Sequence, residues 1–121
     1  MSDDFVIDEQ LFSDLLLSVE EYVVVVDLDF KIRYVNFTGD GYSSEDVIGT
    51  DAAWFVHPNH RPAHRERFRR VIEHERAESF EAPGRGEQGE REWYSGRITP
   101  LVRNGHTVGL VVLMKNVTQF R

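Results

Sequence analysis

The sequence predicts an α+β domain, a five-stranded antiparallel sheet with helices on one face, preceded by an amphipathic helix. Three observations carry this expectation. A β-branched run, Tyr22-Val23-Val24-Val25-Val26, is followed after five residues by a second strand-like segment, Ile32-Arg33-Tyr34-Val35. One long stretch, Asn59 to Ala77, keeps the 3.6-residue apolar period of a helix. After it come three strand-like segments, the last two joined by Asn104-Gly105, the strongest hairpin-turn dipeptide in the chain.

Taken in order, residues 5–19 place Phe12, Leu15, Leu16 and Val19 at i, i+3, i+4 and i+7, one face of a helix. That stripe must be buried, against its own core or against a second copy of the chain. Asp27-Leu28-Asp29-Phe30-Lys31 has the length of a hairpin connection, and the unbroken valine run before it predicts a strand covered on both faces. From Asn36 to Thr50 glycine and short polar residues dominate, with one helical turn at Ser44-Glu45-Asp46-Val47 that Gly49 stops. In the long helix Asn59 is the expected N-cap and Pro62 falls in the first turn, where a missing N–H is harmless. His60, His64, Phe68, Val71 and Ile72 share one stripe, and Arg65, Arg67, Arg69 and Arg70 are spread over the others. Ser79–Ala82 reads as a strand ended by Pro83-Gly84, and residues 84–90 as an exposed charged hairpin tip. Residues 91–102 form a longer strand in which Pro100 requires a bulge or an edge position, and Val108–Met114 a buried final strand.

The chain has 121 residues, enough for one compact domain, and residues 1–20 are read as a flanking helix in front of a domain at 21–121. Cysteine is absent, which excludes disulfides, thiolate zinc sites, iron–sulfur clusters, a cysteine nucleophile and covalent cysteinyl-flavin chemistry. No apolar run is long enough to span a bilayer and the first residues are acidic, so a soluble, cytoplasmic protein is expected. The net charge of -7 is unevenly placed: residues 1–56 carry 13 Asp/Glu against 2 Lys/Arg, residues 57–121 carry 8 against 12. An acidic total argues against nucleic-acid binding, and the glutamates interleaved with the helix arginines read as internal ion pairs on a solvated face.

Several segments, in this order, resemble a PAS domain, the sensor module of histidine kinases, cyclic-dinucleotide enzymes and transcription regulators. They are Val26-Asp27, Ile32-Arg33-Tyr34-Val35-Asn36, Gly41-Tyr42-Ser43-Ser44-Glu45-Asp46-Val47-Ile48-Gly49, Val56-His57-Pro58, Ile98-Thr99-Pro100-Leu101, Asn104-Gly105, Val108-Gly109 and the closing Asn116-Val117-Thr118-Gln119. The resemblance spans about Leu11 to Arg121. It departs in a short Asn36–Tyr42 connection and in Asn116, where the family usually has an aspartate that relays signal to the following linker. The resemblance implies a non-catalytic sensory or dimerisation module of a signalling system such as a two-component pathway. Its partners would be an effector domain in cis or a partner protein, and a second copy met through the N-terminal helix.

A sheet with helices on one face encloses a pocket, expected here to bind a small molecule through Trp54, Phe55, His64, Phe68, Ile72, Trp93 and Arg97, the last two placed inward together with Ser95. Such aromatics also serve simply as core packing. His64 carries the sharpest alternative, because its segment resembles the long helix of haem-binding PAS sensors, in which a histidine there is the proximal iron ligand. The competing reading is a buried histidine bonded to a neighbour. A further alternative is a ligand-free interaction module. His57, His60 and His64 lack the carboxylate spacing of a metal motif, and no metal is expected apart from haem iron at His64. Nor is an enzyme expected: Gly84-x-Gly86-x-x-Gly89 lies in a charged loop between strands, and Asp27 and Asp29 are better explained by turn geometry.

Overall fold

The computed structural model describes residues 21–36, 44–84 and 92–118. The expected N-terminal helix, the connection to Tyr42 and the glycine-rich hairpin tip lie outside these residues. Among the described residues the elements are β1 (Tyr22–Val26), β2 (Ile32–Val35), a short α1 (Ser44–Val47), 3-10 turns at Ala52–Phe55 and Pro58–His60, α2 (Arg61–His74), β3 (Glu78–Pro83), β4 (Trp93–Arg103) and β5 (His106–Asn116). The five strands form one sheet in the order β2-β1-β5-β4-β3, every neighbouring pair antiparallel.

Local chemistry explains the hairpins. The Asp27 carboxylate accepts the N–H groups of Asp29 (2.9 Å) and Lys31 (3.0 Å), and Phe30 takes the left-handed conformation at φ 64° that closes the turn. Asp27 therefore shapes the turn, as its place in the sequence suggests. Asn104 and Gly105, at φ 52° and 79°, make the β4–β5 turn. Pro100 stands at a local edge: it pairs with Leu110 of β5, whereas β3 pairs with β4 only as far as Ile98. The expected bulge lies beside it, between Leu101 and Val102.

The long helix starts later than its period implies. Pro58 opens a 3-10 turn capped by His57, whose Nδ1 accepts the Asn59 N–H at 3.2 Å, and the α-helix proper runs from Arg61 until Glu75 turns left-handed at φ 50°. Asn59 is thus inside a turn that His57 caps, and Ala77 falls outside the helix.

α2 lies on one face of the sheet. Phe68 and Val71 of α2, Val24 and Val26 of β1, Ile98 of β4, and Leu110, Val112 and Met114 of β5 are all buried in one core cluster. The valine run is buried on the helix side through Val24 and Val26 and only partly covered on the other, where Val23 is buried and Val25 half-buried. At the entry to the sheet, the buried Asn36 side chain accepts the Val23 N–H (2.8 Å) and donates to the Glu21 carbonyl (2.9 Å), fixing the first residues of β1 to the end of β2.

Candidate functional site

The register across β3, β4 and β5 decides which side chains face α2. Phe80 is opposite Gly96, and a Cβ on Gly96 would come within 2.7 Å of the Phe80 ring. The same ring lies 4.7 Å from the imidazole of His64 on α2. Gly96 and its same-face neighbours Tyr94 and Ile98 therefore look toward the helix. Ile98 is fully buried, and Tyr94 packs on the core and meets Tyr22 edge-on at 6.0 Å. Trp93, Ser95 and Arg97 project from the other face, and Arg97 is exposed. The inward placement expected of Trp93 and Arg97 is thus corrected, because a strand alternates sides and the one-residue phase is set by how Gly96 accommodates Phe80.

Between the helix and the sheet lies a narrow cleft of ≈ 180 Å³, counted with its solvent-open side, whose interior has no room for a water molecule. Its walls are Val24, Ala52, Phe55, His64, Val112 and Met114. Of the expected pocket residues it brings together Phe55 and His64. Trp54 stands beside them, edge-on to Phe55 at 5.0 Å, while Phe68 and Ile72 pack in the core further along α2. Asp51, which the sequence does not single out, builds this wall. Its carboxylate accepts the Ala53 N–H at 2.8 Å, capping the 3-10 turn that carries Trp54 and Phe55, and pairs with Arg65 of α2. Partial burial would raise the Asp51 pKa, but Arg65 and the Ala53 N–H outweigh it and hold it below the ordinary value. Arg61 completes the frame, donating from Nε to the Val56 carbonyl at 3.3 Å.

His64 is the polar group of the cleft. It is 1% exposed, with the rings of Phe68 and Phe80 each 4.7 Å from its own. Its Nδ1 is 3.1 Å from an Arg67 guanidinium nitrogen, and Arg67 in turn lies over the Phe80 ring at 5.5 Å. Burial, and then the Arg67 charge, push the His64 pKa down to about 3, so the imidazole is neutral. His57 and His60, with ring centroids 6.3 Å apart, lie at the start of α2 and away from this contact. Among the described residues no three His, Cys, Asp or Glu side chains are grouped to hold a metal.

These residues do not fit haem. An iron-ligating imidazole binds through one nitrogen and ordinarily donates from the other. Here Arg67, which has only donors, occupies Nδ1, while two aromatic rings and the opposite wall leave no slot for a macrocycle.

At the far side, burial and then a 2.8 Å hydrogen bond to Glu92 raise the Tyr94 phenol above its ordinary pKa. Where the chain leaves β5, the Val117 N–H donates to the Trp93 carbonyl (2.8 Å), the Trp93 N–H to the Thr118 hydroxyl (3.0 Å), and the Thr118 N–H to the Asn116 side chain (2.9 Å). Trp93 thus belongs to the exit of the domain, where Asn116 organises a turn within its own segment.

A five-stranded antiparallel sheet of this order, with a helix and a cleft on one face, defines a single-sheet α+β module. The PAS fold family matches over residues 16–121, and the chain belongs to that family. The structure is similar to a PAS domain from Colwellia psychrerythraea, with a TM-score of 0.77 and 19% identity over 91% of this chain and 97% of that one. It is also similar to an RNA-binding light-oxygen-voltage receptor, with a TM-score of 0.74 and 18% identity over 97% of this chain and 36% of the receptor. No curated protein matches. Among the described residues no helix is long and apolar enough to cross a membrane.

Proposed function

We propose that this PAS domain is a non-catalytic sensory module that takes a small molecule into the cleft between α2 and the sheet. The observation that carries the reading is His64, a neutral imidazole 1% exposed in a wall otherwise made of apolar side chains. A polar group is costly in such a place; Arg67 meets its Nδ1 at 3.1 Å, and a ligand acceptor would meet the other ring nitrogen. Because the cleft holds no spare volume, a ligand enters only by displacing the half-buried Phe55 and Trp54, and the displacement is the signal. The state of the cleft is read out along β4 and β5 to the Trp93–Thr118 exit, and by an effector domain in cis or a partner protein of a cytoplasmic signalling system. The apolar stripe Phe12, Leu15, Leu16 and Val19 supports a homodimer formed through the N-terminal segment, and the net charge of -7 argues against the RNA binding named for the light-oxygen-voltage receptor.

Native mass spectrometry of the purified protein, with a thermal-shift screen of small apolar compounds, tests this. A released bound mass, or a rise of several degrees in Tm that Phe55→Arg abolishes, is expected. A protein that carries nothing and responds to nothing is instead the ligand-free interaction module, a reading favoured by the filled cleft and by the exposed Val102, Val108 and Leu113.

A further inference from the structure

Arg67 has a chemical consequence for the cleft. A guanidinium has five N–H donors and no acceptor, so the 3.1 Å contact with His64 Nδ1 is a hydrogen bond that Arg67 donates and Nδ1 accepts. A neutral imidazole has one accepting and one donating nitrogen, which leaves the proton on Nε2. The rings of Phe68 and Phe80 flank the imidazole, each at 4.7 Å. Arg67 is held over the Phe80 ring at 5.5 Å, so helix, arginine and β3 fix the contact together. Nε2 lies across the ring from the nitrogen that meets Arg67, and His64 is one of the residues that line the cleft.

We propose that Arg67 is a positioning residue that locks His64 in the Nε2–H tautomer. The cleft then presents a single hydrogen-bond donor in an apolar wall and takes an uncharged apolar molecule bearing one acceptor, such as a carbonyl oxygen. This rests on the ligand-cleft reading above and names the ligand class. The same lock removes the lone pair that a metal-centred cofactor needs, which accounts for the poor fit to haem. A ligand cation would meet the Nε2–H and the nearby Arg67 charge. A ligand anion would gain the Nε2–H and the Arg67 charge on one side, but it would give up its hydration for Val24, Ala52, Val112 and Met114 on the others, so a neutral acceptor is the better match. Neutrality of His64 at physiological pH, enforced by burial and by Arg67, keeps the lock closed.

The test uses the 15N-labelled full chain at pH 7. Long-range 1H–15N correlation spectra assign the His64 tautomer directly, before any ligand is added. Acetophenone and its hydrocarbon isostere isopropylbenzene then probe the cleft, read by the Nε2–H signal and by Tm. The expected result is the Nε2–H tautomer, with acetophenone bound at least about tenfold more tightly than isopropylbenzene, the worth of one hydrogen bond. In Arg67→Glu, where a carboxylate accepts from Nδ1, the tautomer reverses and the preference for acetophenone disappears. An Nδ1–H tautomer in the unaltered chain overturns the lock whatever binds. Equal binding of the two probes overturns the selectivity. An Nε2–H tautomer with neither probe bound overturns the cleft reading, and the ligand class with it, while leaving the tautomer assignment standing.

Discussion

The two faces of β4 are built on opposite principles. Toward α2, Tyr94, Gly96 and Ile98 meet Tyr22, Phe80 and the core with no atom to spare, and Gly96 is the place where a side chain is left out so that the Phe80 ring can reach His64. On the other face Arg97 is exposed, Ser95 is half-buried and Trp93 marks the exit. Adjacent residues on one strand thus differ in what they tolerate: a change on the helix side propagates into the cleft, whereas one on the outer side stays local.

The largest break in this contrast is expected from Gly96→Val. Its branched side chain collides with the Phe80 ring and the Leu113 carbonyl, and should cost about 3 kcal/mol in urea unfolding while shifting the His64 ring resonances. An unchanged unfolding midpoint would remove the phase assigned to β4.

Acid should come next. The folded His64 pKa of about 3 lies below its unfolded value of 6.5, so the unfolded chain binds the extra proton. The stability contributed by the neutral imidazole is complete above pH 6.5 and is lost as pH falls toward 3, at about 1.4 kcal/mol per pH unit or about 2 kcal/mol by pH 5. The lowered carboxyls of Asp51 and Glu78 act in the same direction only below about pH 4.5, which leaves the interval from 6.5 to 4.5 to His64. Denaturant melts at stepped pH check this, and His64→Gln should flatten the slope.

Asn36→Ala probes the same sheet away from the cleft. Loss of the two bonds to Val23 and Glu21 should lower stability by about 1–2 kcal/mol and expose the start of β1 to amide exchange, with the His64 signals unmoved. Smallest of all, Arg97→Ala should change stability by no more than about 0.5 kcal/mol and leave binding in the cleft untouched; a measurable loss of ligand response would return Arg97 to the pocket.

Much of this was legible in the residues. The valine run, the Asn104-Gly105 turn and the stripe from His64 to Val71 are local signals, and each lies where its pattern places it. So is the resemblance to the PAS family, which the fold and the family match show. The phase of β4 was not legible, because alternation says only that Trp93 and Tyr94 differ. Which one turns inward depends on Phe80, far from Gly96 in sequence but opposite it in the sheet. Asp51 and Asn36 were hidden for a related reason. Short polar residues near loops read as turn formers, and nothing local announces that one will cap Ala53 and pair with Arg65, or that the other will clamp β1. His64 shows both sides: its stripe places it against the core, whereas its chemistry is set by Arg67, three residues on, a contact that depends on the Phe80 ring beneath the guanidinium.

Position 96 sets a limit on how such a sensor can diversify. Substitutions at Phe55, Val112 or Met114 reshape the walls of the cleft by increments, so descendants of this chain can alter its shape by small steps. Gly96 allows no increment, since even alanine displaces Phe80 and, through it, the imidazole. Drift would therefore leave position 96 unvaried for as long as the Phe80–His64 contact is kept, and a lineage that acquires a side chain there should already have abandoned that contact.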